Sequence, residues 1–131
     1  MKKTSFILAT LSLLCVVLNA CSKTNTNPLY FPAQSEIGTI CVTNTSETFV
    51  KTDSAWISEF IEQANAAQYT SRQSIQDFPN SREYIQIDLI LNNGNESTLY
   101  VYQEKRKWYL EQPYQGIYLV DDTFVGMLTA K

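Results

Sequence analysis

Residues 84–118, YIQIDLILNNGNESTLYVYQEKRKWYLEQPYQGIY, decide the fold. From Tyr84 to Leu91 the side chains alternate. Ile85, Ile87, Leu89 and Leu91 point one way, and Gln86 and Asp88 the other, which is the period-two pattern of a strand. Asn92-Asn93-Gly94-Asn95 supplies a hairpin turn, because Asn-Gly tolerates positive φ. Thr98 to Gln103 returns as a second strand, with Leu99 and Val101 opposed to Tyr100 and Tyr102. The charged run Glu104-Lys105-Arg106-Lys107 makes a second turn and Trp108 to Glu111 a third strand. Pro113 to Gly116 breaks it, and Ile117 to Val120 reads as another short extended run. These signals predict a three-stranded antiparallel meander followed by that run.

Upstream of the meander, Ile37 to Val42 reads as a first strand. A turn-rich stretch, Thr43 to Glu47, leads to a short run at Thr48-Phe49-Val50. Asp53 or Ser54 suits a helix N-cap. Ala55 to Gln68 then has helical period, with Ile57, Phe60, Ile61, Ala64 and Ala67 on one face and Ser58, Glu59, Glu62 and Asn65 on the other. Thr70 to Asn80 is polar; the spacing of Ser74 and Asp77 suggests a capped helical turn, and Arg72 and Asp77 a local ion pair. Downstream, Asp121 or Asp122 can cap a short final helix whose Phe124, Met127 and Leu128 face inward. The expected class is α+β: a small antiparallel sheet with one face covered by one main helix, the other face partly open, and a short C-terminal helix.

The amino terminus carries an address of its own. Lys2 and Lys3 precede a mostly apolar run from Phe6 to Leu18, which is long enough for a signal-peptide core and too short to span a bilayer. Leu18-Asn19-Ala20-Cys21 resembles the lipobox of bacterial lipoproteins. In that family the cysteine thiol receives a diacylglycerol and the chain is cut just before it. The resemblance implies a signal peptide over 1–20 and lipidation at Cys21. Two acyl chains hold a protein stably on a membrane where one does not. Residues 21–35, with Pro28 and Pro32, read as a tether whose Leu29, Tyr30 and Phe31 can dock onto the domain; residues 36–131 form that single domain. Without Lys2 and Lys3, eight basic face thirteen acidic residues, a charge of −5 for 21–131. Such a domain stands off anionic lipid and relies on its anchor.

Composition removes several classes. The whole chain has 131 residues and a net charge of −3, so no basic field exists to hold nucleic acid. Histidine is absent, which removes imidazole-based metal sites and Ser–His–Asp or Cys–His catalysis. No calcium-loop spacing appears either; no metal or cofactor is expected. With Cys15 in the leader and Cys21 lipidated, Cys41 is left alone, and its place in Thr39-Ile40-Cys41-Val42 suggests a buried, inert thiol.

Several segments are similar to a group of short lipoproteins of Gram-positive bacteria that are catalogued as a domain of unknown function. They are Thr70 to Asn80, Tyr84-Ile85-Gln86-Ile87, Leu99-Tyr100-Val101-Tyr102, and above all Trp108-Tyr109-Leu110-Glu111-Gln112-Pro113-Tyr114-Gln115-Gly116-Ile117-Tyr118. The resemblance implies a small α+β domain on the outer face of the membrane. It brings no activity and no catalytic residue.

Tyr100, Tyr102, Trp108, Tyr109 and Tyr114 are the candidate binding residues, because tyrosine and tryptophan combine a large rigid area with a polar tip. Cross-strand aromatics also stabilise a sheet without binding anything. The expected role is non-enzymatic: an anchored domain that engages a protein or peptide at the envelope. One alternative is an inhibitor or immunity-type lipoprotein directed at a secreted cationic partner, which the acidic balance suits. The other is a hydrolase built on paired carboxylates, for which Glu59 with Glu62 and Asp121 with Asp122 are better explained as solvated helix and helix-start residues.

Overall fold

Antiparallel pairing joins seven strands into one sheet. The computed structural model describes residues 27–130. The leader, the lipobox and Cys21 lie outside the described residues. The elements are β1 (Ile37–Thr43), β2 (Thr48–Lys51), α1 (Ser54–Asn65), β3 (Gln68–Arg72), β4 (Ile85–Leu91), β5 (Glu96–Glu104), β6 (Lys107–Gln112), β7 (Gly116–Val120) and α2 (Asp122–Thr129). The class is the expected α+β, with one main helix and a short C-terminal one.

The strands stand in the order β2-β1-β4-β5-β6-β7-β3, and that order dictates the layers. β2 and β3 are the two edges, so α1, which joins them, crosses the whole sheet on one face. The chain must then return from β3 to β4, past β7, β6 and β5. It does so as loop 73–84, whose side chains meet the other face.

Alternation along each strand sorts the side chains between these layers. Ile40 and Val42 lie opposite Leu89 and Ile87, Ile87 lies opposite Leu99, and Val101 lies opposite Leu110, which lies opposite Tyr118. This first face packs with Ile57, Phe60 and Ala64 of α1 and Phe124, Val125 and Leu128 of α2 as one apolar core. Phe60 sits at its centre, fully buried, stacked on Trp56 at 5.8 Å and close to Phe124 at 5.7 Å. Each such side chain taken fully out of water contributes about 1.5–3 kcal/mol. Both helices start where the sequence predicts: Asp53 accepts from the Trp56 N–H, and Asp121 from the Phe124 N–H, each at 2.9 Å.

Four expectations need correction. The helical period runs on to Gln68, but α1 ends at Asn65. Gln68 and Tyr69 instead pair with Leu119 and Tyr118 of β7, which satisfies an otherwise bare sheet edge. The extended run after the meander is β7, a full member of the sheet, so the meander has four strands. Residues 73–84 hold no helical turn: Ser74 donates to Glu111, and Arg72 pairs with Glu104 instead of Asp77. Cys41 is half-buried, because alternation puts Ile40 and Val42 under the helices and turns Cys41 to the second face, beside Val50 and Asp88.

Part of the expected tether is docked. Gln112 clamps the Tyr30 backbone, accepting from its N–H at 2.8 Å and donating to its carbonyl at 2.7 Å. Gln115 and the Tyr118 hydroxyl hold Asn27 and Pro28. Leu29 and Phe31 pack on the core, Phe31 edge-on to Phe60 at 6.3 Å. The Tyr30 ring stays outside, 74% exposed.

Candidate functional site

The second sheet face is where unusual chemistry collects. Register sets Tyr100 beside Glu111, Tyr102 beside Tyr109, and Glu111 beside Ile117. Loop 73–84 is pinned over them by side chains. The Ser74 hydroxyl donates to Glu111 Oε1 at 2.6 Å, and the Tyr114 hydroxyl donates to Asp77 Oδ1 at 2.6 Å. Phe78 and Tyr84 bracket the Tyr100 ring at 6.0 Å and 5.2 Å. A loop this long without secondary structure is uncommon in a small domain and is often a binding element.

Burial beneath the loop alters the tyrosines. Tyr100 and Tyr102 are each 4% exposed. Desolvation pushes the Tyr100 hydroxyl up from its ordinary value, helped by the charges of Tyr84, Asp88, Asp77 and Glu111. Desolvation also raises Tyr102, strongly, and the charge of Glu111 and a hydrogen bond with it add to the rise. Both stay neutral donors at physiological pH. Tyr109 is half-buried, 6.0 Å from Tyr102, and the Arg72 guanidinium lies over its ring at 5.4 Å. Arg72 also reaches Glu104 at 3.4 Å.

Loop residues line three hollows, and two of them collect the buried acid and the exposed aromatics. One, of about 670 Å³, is lined by Arg72, Ser74, Ile75, Tyr102, Glu104 and Glu111 among others. The second, of about 480 Å³, is ringed by Tyr30, Phe78 and Tyr114, with Tyr100, Gln112 and Pro113 also lining it. The three ring residues come from three separate segments and are exposed by 74%, 60% and 68%. Exposed aromatic rings gathered around one depression are the mark of a contact surface.

Tyr114 is also held in an unfavourable backbone state. Gln115 N–H bonds back to the Gln112 carbonyl at 3.0 Å, closing a turn with Pro113 and Tyr114 at its centre. Tyr114 has φ +61, a position where glycine is the comfortable residue. The ring carried on this strained turn stays largely in solvent, and such outliers concentrate at functional sites.

The predicted binding residues therefore separate. Tyr114 stands on the exposed rim, and Tyr100 forms part of the floor beneath it. Tyr102 and Tyr109 lie together further along the same face. Trp108 is on the helix face, partly packed on the core, beside a different hollow of about 430 Å³. Sequence reasoning missed Tyr30, Phe78 and Glu111. The signals for them were a tyrosine between Pro28 and Pro32, an aromatic residue in an otherwise polar loop, and a carboxylate alternating in phase with Tyr109. Among the described residues no group of three His, Cys, Asp or Glu stands ready to hold a metal ion, and no helix is long and apolar enough to cross a membrane.

Fold and site thus define a small α+β domain with helices on one sheet face and a pinned, aromatic-rimmed loop on the other. The chain belongs to the family described as Domain of unknown function (DUF5300), whose model matches residues 25–119. That match takes in the docked segment as well as the sheet. A solved structure titled "NMR structure of the protein from Ruminococcus gnavus" is similar, with 32% identity and a TM-score of 0.68. The alignment covers 76% of this chain and 98% of that one. No curated protein matches.

Proposed function

We propose that the protein is a non-enzymatic binding lipoprotein, anchored through Cys21 to the outer face of a Gram-positive cell membrane, which engages a protein or peptide partner at the envelope. The observation that carries the binding role is the ring of Tyr30, Phe78 and Tyr114, three exposed aromatics around one hollow, one of them carried on a strained turn. The polar groups behind the ring support it too. Two separate pairs, the Ser74 hydroxyl on Glu111 and the Tyr114 hydroxyl on Asp77, hold the loop in place, as a preorganised surface requires. The leader and the Leu18-Asn19-Ala20-Cys21 motif support the anchor.

Mass analysis of the protein from its own cells tests the address: Cys21 should be the first residue and carry a diacylglyceryl group, and an unmodified Cys21 would contradict it. For the binding role, Phe78→Ser and Tyr30→Ser should lose a partner that the wild-type chain captures from envelope extracts. Capture by both variants at the wild-type level would refute the rim. The charge of −5 over residues 21–131 favours a basic partner, such as a secreted cationic protein that this one restrains.

A further inference from the structure

Glu111 is 2% exposed, yet among the described residues no Lys or Arg nitrogen comes within 4.0 Å of it; Arg72, which lines the same hollow, is paired with Glu104. Its described partners are hydroxyls, Ser74 and Tyr102. A buried carboxylate is expensive unless a cation meets it. Glu111 lines the hollow of about 670 Å³. The same hollow offers apolar surface at Ile117 and at Ile75, which is 79% exposed among the described residues. Arg72 and Glu104 neutralise each other there.

We propose that this hollow receives an arginine or lysine side chain of the partner, its alkyl stem along Ile75 and Ile117 and its cationic head on the Glu111 carboxylate. Long basic side chains suit such a site because they join an apolar stem to a charged tip. A guanidinium or ammonium bonded to a desolvated carboxylate makes a strong, charge-assisted contact. A divalent metal is less suited, because among the described residues no three His, Cys, Asp or Glu side chains gather to hold one. The proposal rests on the binding role above and adds the chemistry that the partner must present.

The test is an NMR titration of the isotope-labelled full chain with N-acetyl-arginine amide, set against the uncharged N-acetyl-citrulline amide. Saturable shifts at residues 73–76 and 111 are expected with the arginine compound and not with citrulline. Glu111→Gln should weaken the binding by at least about tenfold. Ile75→Arg, a change at an exposed position that spares the core, places a like charge over the hollow and should abolish the shifts even if the Glu111 variant folds poorly. Absence of saturable shifts, equal affinity for citrulline, wild-type affinity in Ile75→Arg, or shifts confined to outlying acidic positions such as Glu59 and Asp122 would each overturn the proposal. Partner capture that depends on Phe78 and Tyr30 would survive that result, so the two ideas fail separately.

Discussion

Replacing Tyr114 by glycine and, separately, by alanine divides strain from recognition. Both changes delete the ring and its hydrogen bond to Asp77. They differ in the backbone, where φ is +61. An L-residue in the left-handed region carries a penalty of roughly 1–2 kcal/mol that glycine escapes. Glycine gives back about 0.5–1 kcal/mol through its freer unfolded chain. The balance favours glycine by about 0.5–1 kcal/mol, or ~3–5 °C in Tm for a domain of this size. The ring itself is 68% exposed, so its loss removes little packing from either variant. Thermal and urea unfolding of the two variants, side by side, give the comparison. Tyr114→Gly should be the more stable, although alanine is the better residue in most structured settings. Both should lose partner capture alike. An alanine variant as stable as the glycine variant would refute strain at this turn, and undiminished capture by both would refute its purpose.

Other perturbations follow from the same structure. Phe60→Ala should cost about 3–5 kcal/mol in urea unfolding, since Trp56, Phe124 and Phe31 all pack on that ring; a loss under one would mean the core is not centred there. Ser74→Ala leaves Glu111 short of a donor and should cost about 1–3 kcal/mol, with faster hydrogen exchange across loop 73–84; unchanged exchange would show that the loop is held otherwise. Alkali should unfold the protein. Burial pushes Tyr118 up from 10.0 to about 12 and raises Tyr100 and Tyr102 as well, so the unfolded chain gives up these protons first. Stability is then full below pH 10.0 and falls as pH climbs from there towards about 12. A denaturation midpoint that stays flat across that window would contradict the burial of these hydroxyls.

Much of the fold is legible because the first sheet face is written in alternation. Ile85, Ile87 and Leu89, or Leu99 and Val101, announce both a strand and the side on which its core lies. The caps at Asp53 and Asp121 are equally local. β3 escapes because Gln68-Tyr69-Thr70-Ser71-Arg72 has no apolar rhythm; it is an edge strand, made by the bare side of β7 more than by its own residues. The second face escapes for a related reason. Alternation reads Tyr100 and Tyr102 as opposite the core, which is correct, but it cannot say that a polar loop returns to bury them. Glu111 looks like a solvated residue until the same loop closes over it. Arg72 picks Glu104 over Asp77 because β3 ends at the sheet edge, a placement set by topology and not by nearness in sequence.

The most direct test places a photo-crosslinking residue at Phe78 or at Tyr30 in living cells, with Val50, exposed on the remote edge strand β2, as the comparison. Irradiation should join one basic envelope or secreted protein to the chain from both rim positions and from Val50 not at all. Adducts that form equally well from Val50, or none from the rim, would contradict a binding surface at the aromatic rim.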